Sequence, residues 1–120
     1  MAYAKFDDGF PDHPKVRDLS DTAYRLHSSG ILHCARWLTD GHVTASVIGD
    51  LLRRSTPKRR DAALRELLDS GLWRELMPGA LYEIHDYLDW NDSRARVEAR
   101  RKKNAERLAK WRAEHGGDAS

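Results

Sequence analysis

The side chains of this sequence that suggest a function most directly are clustered cations, which could bind an anion. Residues 53–60 read RRSTPKRR and hold five positive charges and no negative ones: Arg53, Arg54, Lys58, Arg59 and Arg60. Thr56 followed by Pro57 is typical of a helix start, where the helix dipole opposes each nearby cation by roughly 0.3–1 kcal/mol. Because a helix gains nothing from this arrangement, we expect the first cationic block (residues 53–60) to bind an external anion. A phosphate backbone is the simplest candidate.

A second cationic block covers residues 94–112, which hold nine basic and two acidic side chains, a net charge of +7. Residues 61–93 carry a net charge of −6. Segregated charge of this kind is typical of polyanion binding. The block could follow phosphates, lie on the acidic core of another copy, or simply face solvent. Its candidate phosphate ligands are Arg94, Arg96, Arg100, Arg101, Lys102, Lys103, Arg107 and Lys110.

The six histidines and the single cysteine form no pattern that suggests catalysis or metal binding. No histidine pair has HxxxH spacing with a supporting carboxylate, and Cys34 alone cannot form an internal disulfide or a Cys-based zinc site. His85 and Asp86 lack a nucleophile in a recognisable motif, and neither a Walker loop nor a GxGxxG motif is present. We therefore expect no enzymatic activity, no catalytic residue, no metal and no cofactor. His13 is expected to organise a turn before a short helix.

Length and composition indicate one globular domain. The chain has 120 residues, of which 40% are hydrophobic and 33% charged, enough for a modest core under a highly charged surface. No apolar run approaches the ~20 residues needed to cross a membrane, and the acidic N-terminus is unlike a signal peptide. We expect a cytoplasmic protein without a membrane partner.

Capping residues and apolar spacing predict three helices that must position the first cationic block. Ser20 is the expected N-cap of a helix over residues 21–38, with an inner stripe of Ala23, Leu26, Gly30, Cys34, Trp37 and Leu38. Thr44 or Ser46 would cap a second helix, whose shared face is Val47, Ile48, Leu51 and Leu52. Thr56 would cap a third, which ends at Gly71 and buries Ala63, Leu64, Leu67 and Leu68. The short connection between the second and third helices predicts a helix-turn-helix.

After the third helix, apolar residues no longer recur at the three- and four-residue spacing of a helix. Residues 72–76 and 81–87 are short apolar and aromatic segments around Pro78 and Gly79, which predicts a β-hairpin, and Val43 could form a very short strand. The order helix, short strand, helix, helix, hairpin is that of a winged helix. The expected fold class is therefore mainly α (α+β), a winged helix-turn-helix with a C-terminal basic helix.

We expect a winged-helix domain over residues 1–90, a basic helix over 91–113 and a disordered tail over 114–120. Asn91, Asp92 or Ser93 would cap the basic helix. A heptad through it places Arg101 and Asn104 in the seam, which argues against a strong coiled coil. The expected core aromatics are Trp37, Trp73, Tyr82 and Tyr87. The tryptophans expected to pack the basic helix onto the domain are Trp90 and Trp111.

Four stretches resemble the N-terminal winged-helix region of phage and prophage replication proteins, the replisome-organiser or DnaD-like initiators. They read KFDDGFPDHPKVRDLS (5–20), TDGHV (39–43), ALRELLDSGLW (63–73) and YEIHDYLDWNDSR (82–94), followed by the basic helix. The resemblance covers roughly residues 3–112 and implies DNA binding in replication or its control. Longer members carry a further C-terminal domain that engages helicase-loading machinery. We therefore expect a stand-alone DNA-binding protein, a truncated remnant or a small regulator rather than a complete initiator.

The expected partner is double-stranded DNA. In a helix-turn-helix the start of the second helix of the pair enters the major groove, so we expect Lys58, Arg59, Asp61, Ala62 and Arg65 to face DNA. The hairpin tip, residues 77–80, has no basic residue and is expected to contribute little. The rival hypothesis is a protein interaction module on the same scaffold, which forms a homodimer or binds a replication or host protein.

Overall fold

The computed structural model describes residues 4–115 of the chain, except for the side chain of Trp90. The protein is mostly helical (62%) with one small antiparallel sheet, so the expected mainly helical α+β class is confirmed. After a 3-10 turn at Phe10–Asp12, the elements are α1 (Pro14–Arg17), α2 (Asp21–Trp37), β1 (His42–Thr44), α3 (Ala45–Leu51), α4 (Pro57–Asp69), β2 (Trp73–Met77), β3 (Leu81–Ile84), α5 (Tyr87–Trp90) and α6 (Arg94–His115).

The helices begin at the expected caps. The side-chain oxygens of Ser20, Thr44 and Thr56 accept hydrogen bonds from backbone N–H groups three residues later, at 3.2–3.3 Å. Each such bond satisfies a donor that a helix start otherwise leaves free. Ser93 caps α6 in the same way, and Nδ1 of His13 accepts from the N–H of Lys15 at the start of α1, as expected. Local sequence therefore determines where these helices start.

The sheet has the strand order β1-β3-β2, with both pairs antiparallel. The strand predicted around Val43 is confirmed, and Val43 pairs with Tyr82 in the hairpin. Trp73 pairs with Ile84 at the open end of the hairpin, and the register shifts between Glu75 and Met77. The sheet thus joins the chain before α3 to the chain after α4, which holds the α3–α4 turn between two anchored ends.

The core lies where α2 and α4 meet each other and the sheet. Its fully buried side chains include Leu26 from α2, Leu67 from α4 and Trp73 from β2. A Cβ at Gly30 would lie 2.7 Å from Cζ2 of Trp73, closer than real contacts allow, so a glycine here lets the indole pack against α2. The expected core positions of Tyr82 and Tyr87 are also confirmed.

Trp37 does not belong to this core, and that expectation was wrong. Its side chain is 61% exposed, although it continues the spacing of the buried α2 stripe. The helix ends at this residue, because Leu38 takes the left-handed conformation with φ 55° and turns the chain away. The indole of Trp37 instead contacts the guanidinium of Arg36, 5.2 Å from the ring centroid.

A buried hydrogen bond links α2 to the sheet. Nε1 of Trp73 donates to Nδ1 of His27 at 2.9 Å, and the ring of Phe10 stacks on the imidazole. Only 4% of His27 is exposed. Burial, with a smaller contribution from His13, lowers the pKa of His27 to about 4. The histidine is therefore a neutral acceptor within the fold at neutral pH.

Helix α6 touches the rest of the protein only near its start. Val97 is buried, and the backbone N–H of Arg94 donates to Oδ1 of Asp40 at 2.6 Å. All residues from 98 to 115 are exposed. The expectation that Trp111 packs the helix onto the domain was wrong, since its side chain is 55% exposed. For Trp90 the expectation stays a prediction, because its side chain lies outside the described part of the structure.

The boundaries around α6 differ slightly from those expected. The helix begins at Arg94 rather than 91, because Ser93 is its cap, and it continues through residues 114 and 115 of the expected tail. The remainder of that tail, residues 116–120, lies outside the described residues.

Candidate nucleic-acid interface

The first cationic block lies at the turn between α3 and α4. Arg53 and Arg54 are exposed in the turn itself, and Lys58 and Arg59 are exposed in the first turn of α4, whereas Arg60 is half-buried. Leu52, 1% exposed, fixes the start of this turn in the core. Within residues 4–115, no carboxylate oxygen lies within 4 Å of a charged nitrogen of these five residues. Their charges are therefore available to an external anion.

Fewer of the predicted DNA-facing residues share the outward face of α4 than the sequence suggested. Lys58, Ala62 and Arg65 are exposed at i, i+4 and i+7, so they lie on one side of the helix. Asp61, also exposed, stands beside them. Arg59 points about 100° away from Lys58, because successive helical residues are rotated by that angle. The structure thus brings together two of the predicted cations on this face and places Arg59 at its edge.

Arg65 lies near acidic groups as well as near solvent. The pKa of Tyr82 is raised by its burial and by the nearby carboxylates of Glu75 and Asp61, and Arg65 acts in the opposite direction. The charge of Arg65 is therefore partly balanced within the protein.

The second cationic block has two parts. In the root of α6 (residues 94–100) the arginines form ion pairs, whereas the later cations have no carboxylate partner within residues 4–115. Asp92 accepts a hydrogen bond from Arg100 at 2.7 Å and lies 3.8 Å from both Arg96 and Lys5. Arg94 pairs with Glu98 at 2.9 Å. The hydrogen bond from Arg100, followed by the charges of Arg100, Lys5 and Arg96, lowers the pKa of Asp92. The pairs of Arg94, Arg96 and Arg100 are local to the start of α6, and only the one with Lys5 reaches another part of the chain.

The remaining predicted cations of α6 are exposed and have no such partner. For none of them does a carboxylate of the described chain approach within 4 Å. They are Arg101, Lys102, Lys103, Arg107 and Lys110. Sequence reasoning missed this division. An acidic residue four and eight positions before two arginines, as in Asp92, Arg96 and Arg100, was the signal that could have revealed it.

The hairpin offers no free cation. Its tip, residues 77–80, contains no basic residue, and Nε of Arg74 on β2 donates to Glu83 at 2.7 Å. The large apolar side chains of Leu76 and Met77 are exposed, at 41% and 56%. This surface suits a protein contact better than a phosphate contact.

Two observations concern metal binding and nucleophilic chemistry. Within residues 4–115, no three His, Cys, Asp or Glu side chains are placed to hold a metal ion together. Cys34 is fully buried, and burial raises the pKa of its thiol to about 11. A thiol with that pKa is a poor nucleophile at neutral pH.

Comparisons with known proteins do not assign this chain to a family. The chain matches no family model, no curated protein and no solved structure. The resemblance to phage replication proteins therefore stays a prediction that depends on the quoted stretches alone. Within residues 4–115, no helix is long and apolar enough to cross a membrane.

Proposed function

We propose that this chain is a cytoplasmic winged-helix protein that binds double-stranded DNA, in the replication initiation or transcription control of a phage or prophage. The observation that carries the proposal is the first cationic block, five cations at the α3–α4 turn with no carboxylate partner in residues 4–115. The three-stranded sheet beside two successive helices is consistent with a winged helix. The replication role depends on the resemblance alone.

Each part of the α3–α4 pair has a role in this proposal. Helix α4 enters the major groove from its N-terminal end, with Lys58, Ala62 and Arg65 towards base edges. Arg53, Arg54 and Arg59 contact phosphates on either side, where they set position rather than sequence preference. Helix α6 carries the second cationic block, whose unpaired cations add further phosphate contacts.

The test is affinity for a duplex across a salt series. We expect the triple variant Arg54→Ala, Lys58→Ala, Arg59→Ala to bind more weakly, with the slope of log K against log[salt] reduced by about 1.8, since Arg54 and Arg59 are the phosphate contacts and each contributes about 0.9. The matched control is Arg17→Ala, Arg25→Ala, Arg36→Ala. It removes three exposed cations from α1 and α2, which likewise have no carboxylate partner in residues 4–115. The control should keep more of both the affinity and the slope, although its net charge is the same.

An equal loss in both triple variants would mean that the chain responds only to net charge, and the proposed interface would be wrong. Unchanged binding in the first triple variant would contradict the proposal directly.

The exposed Leu76 and Met77 favour a second candidate function, a module that binds protein through its hairpin. An apolar interface of that kind responds little to salt, whereas binding through phosphates weakens steeply. If complexes of this chain survive high salt and are lost in the variant Leu76→Ser, Met77→Ser, the second candidate is favoured.

A further inference from the structure

The distal arm of α6, residues 101–115, extends away from the domain. Val97 is the last buried residue of the helix, and the described chain measures 63 Å along its longest axis against 29 and 25 Å across. A helix rises 1.5 Å per residue, so this arm is about 22 Å long. Every residue of the arm is exposed, although Arg101 and Asn104 still line a cleft that the domain shares.

An aromatic platform lies near the tip of the distal arm. Trp111 is 55% exposed, and the imidazole of His115 stacks against its indole with ring centroids 4.7 Å apart and planes 16° apart. Nδ1 of His115 also lies 2.9 Å from the carbonyl oxygen of Trp111, which orients the imidazole ring. The indole is thus a flat apolar surface held in place on an otherwise polar helix.

Unpaired cations follow the same part of the helix. Lys103, Arg107 and Lys110 recur at i, i+4 and i+7, so they form one row, and Trp111 lies one turn after Arg107. None of these three cations has a carboxylate partner within residues 4–115. A row of cations beside an exposed aromatic ring is the combination that binds a single nucleic-acid strand, with phosphates on the cations and a base on the ring.

We propose that the distal arm binds an unpaired nucleic-acid strand, with a base stacked on Trp111 and phosphates on Lys103, Arg107 and Lys110. A duplex would use the cations but leave the indole without a partner, because its bases are already stacked on one another. A second copy of the arm is a poorer occupant, since its excess of positive charge repels this one and Arg101 with Asn104 interrupts the apolar seam. This inference does not depend on duplex binding by the first cationic block.

The experiment uses the full chain and fluorescence anisotropy of a labelled oligothymidylate of about 20 nucleotides, longer than the sites of about 4–16 nucleotides that single-strand binders cover. We expect Trp111→Ala to weaken binding about fivefold to a hundredfold and Trp111→Phe, which keeps a ring, to weaken it far less. The control is Trp37→Ala, an equally exposed tryptophan on α2. It should bind as the wild type does. Circular dichroism confirms that each variant stays helical.

A labelled duplex of the same length separates the two proposals. Trp111→Ala should leave duplex affinity nearly unchanged, whereas the triple variant of the first cationic block should lower it. Several outcomes would overturn the inference: no binding of oligothymidylate, equal affinities of wild type and Trp111→Ala, or an equal loss in Trp37→Ala. It would also be overturned if Trp111→Ala only lowered the oligomer mass measured by light scattering, which would indicate a contact between copies. If oligothymidylate binding needs Trp111 but no duplex is bound, this inference stands and the proposed function fails.

Discussion

At the scale of single residues, the hydrogen bond from Trp73 to His27 is the buried contact most sensitive to pH. The fold holds His27 neutral, with its pKa lowered to about 4, whereas the unfolded chain protonates it near 6.5. Below pH 6.5 the unfolded state therefore binds a proton that the native state does not. The free energy of unfolding decreases as the pH is lowered. The loss continues until the pH passes the native pKa.

We expect the free energy of unfolding to fall by about 3 kcal/mol between pH 7 and pH 4 through His27 alone, given 1.36 kcal/mol for each pKa unit. In His27→Gln an amide oxygen can still accept from Trp73, but it does not titrate, so this part of the pH dependence should disappear. The measurement is urea denaturation at a series of pH values. Parallel pH profiles for wild type and His27→Gln would contradict the assignment.

At the scale of the element, α4 begins with the charges that its own dipole disfavours. Pro57 and Thr56 make a good helix start, yet Lys58 and Arg59 follow where acidic residues would be stabilising. The cations are thus retained against the preference of the isolated helix. An external anion would reverse the sign of their contribution.

The variant Lys58→Ala, Arg59→Ala should therefore unfold less readily than the wild type when no nucleic acid is present. We expect its free energy of unfolding to rise by about 0.5–1 kcal/mol at low salt and the gain to shrink as salt is added. Arg36→Ala should instead lower the free energy of unfolding, since Arg36 lies in the last turn of α2, where a cation is favourable. Chemical denaturation at two salt concentrations tests both. A destabilised double variant would mean that Lys58 and Arg59 contribute to the fold.

At the scale of the whole molecule, the question is how much of α6 the domain needs. Val97 is buried and lines the same cleft as Ala35, Leu38 and Tyr87. The α6 residues from 98 to 115 are exposed, and Asn104 is the last of them that lines this cleft. A single valine among alanines and cations gives no sign of burial, because the partner surface comes from elsewhere in the chain.

Two truncations should separate the root of α6 from the distal arm. Removing residues 101–120 should change the free energy of unfolding by no more than about 0.5 kcal/mol, as expected for exposed positions. Removing residues 94–120 should lower it by about 1.5–3 kcal/mol, because a buried valine is lost. Thermal and urea denaturation of both proteins provide the measurement. Equal stabilities would mean that Val97 contributes nothing.

The sequence predicted those features of the fold that depend on neighbouring residues. The starts of α2, α3 and α4 follow from Ser20, Thr44 and Thr56, whose side chains cap the helices they precede. Features that depend on distant contacts were missed. Trp37 has the spacing of a core residue but lies at the end of its helix, and a buried His27 requires Trp73, 46 residues away, as its donor.

The candidate site was predictable in composition and not in detail. Charge clustering identified the first cationic block and α6, because runs of Arg and Lys can be read directly from a sequence. Which of these cations pair with carboxylates was missed, although the spacing of Asp92 from Arg96 and Arg100 indicates the pairing. The exposure of Trp111 could not be read from the sequence, because it depends on the direction in which α6 leaves the domain.

The extension of α6 beyond Val97 also has a consequence for hydrogen exchange. Backbone amides in α2 and β3 lie under a shared core, so they should exchange with solvent only when the whole domain opens. Amides of the distal arm have no tertiary contact to hold them, and a helix of this length is only marginally stable by itself in water. Their exchange should become faster from the root of α6 to its tip, over a range of rates wider than the rest of the chain shows. A bound nucleic-acid strand would slow exchange in the arm while leaving the core amides as they were.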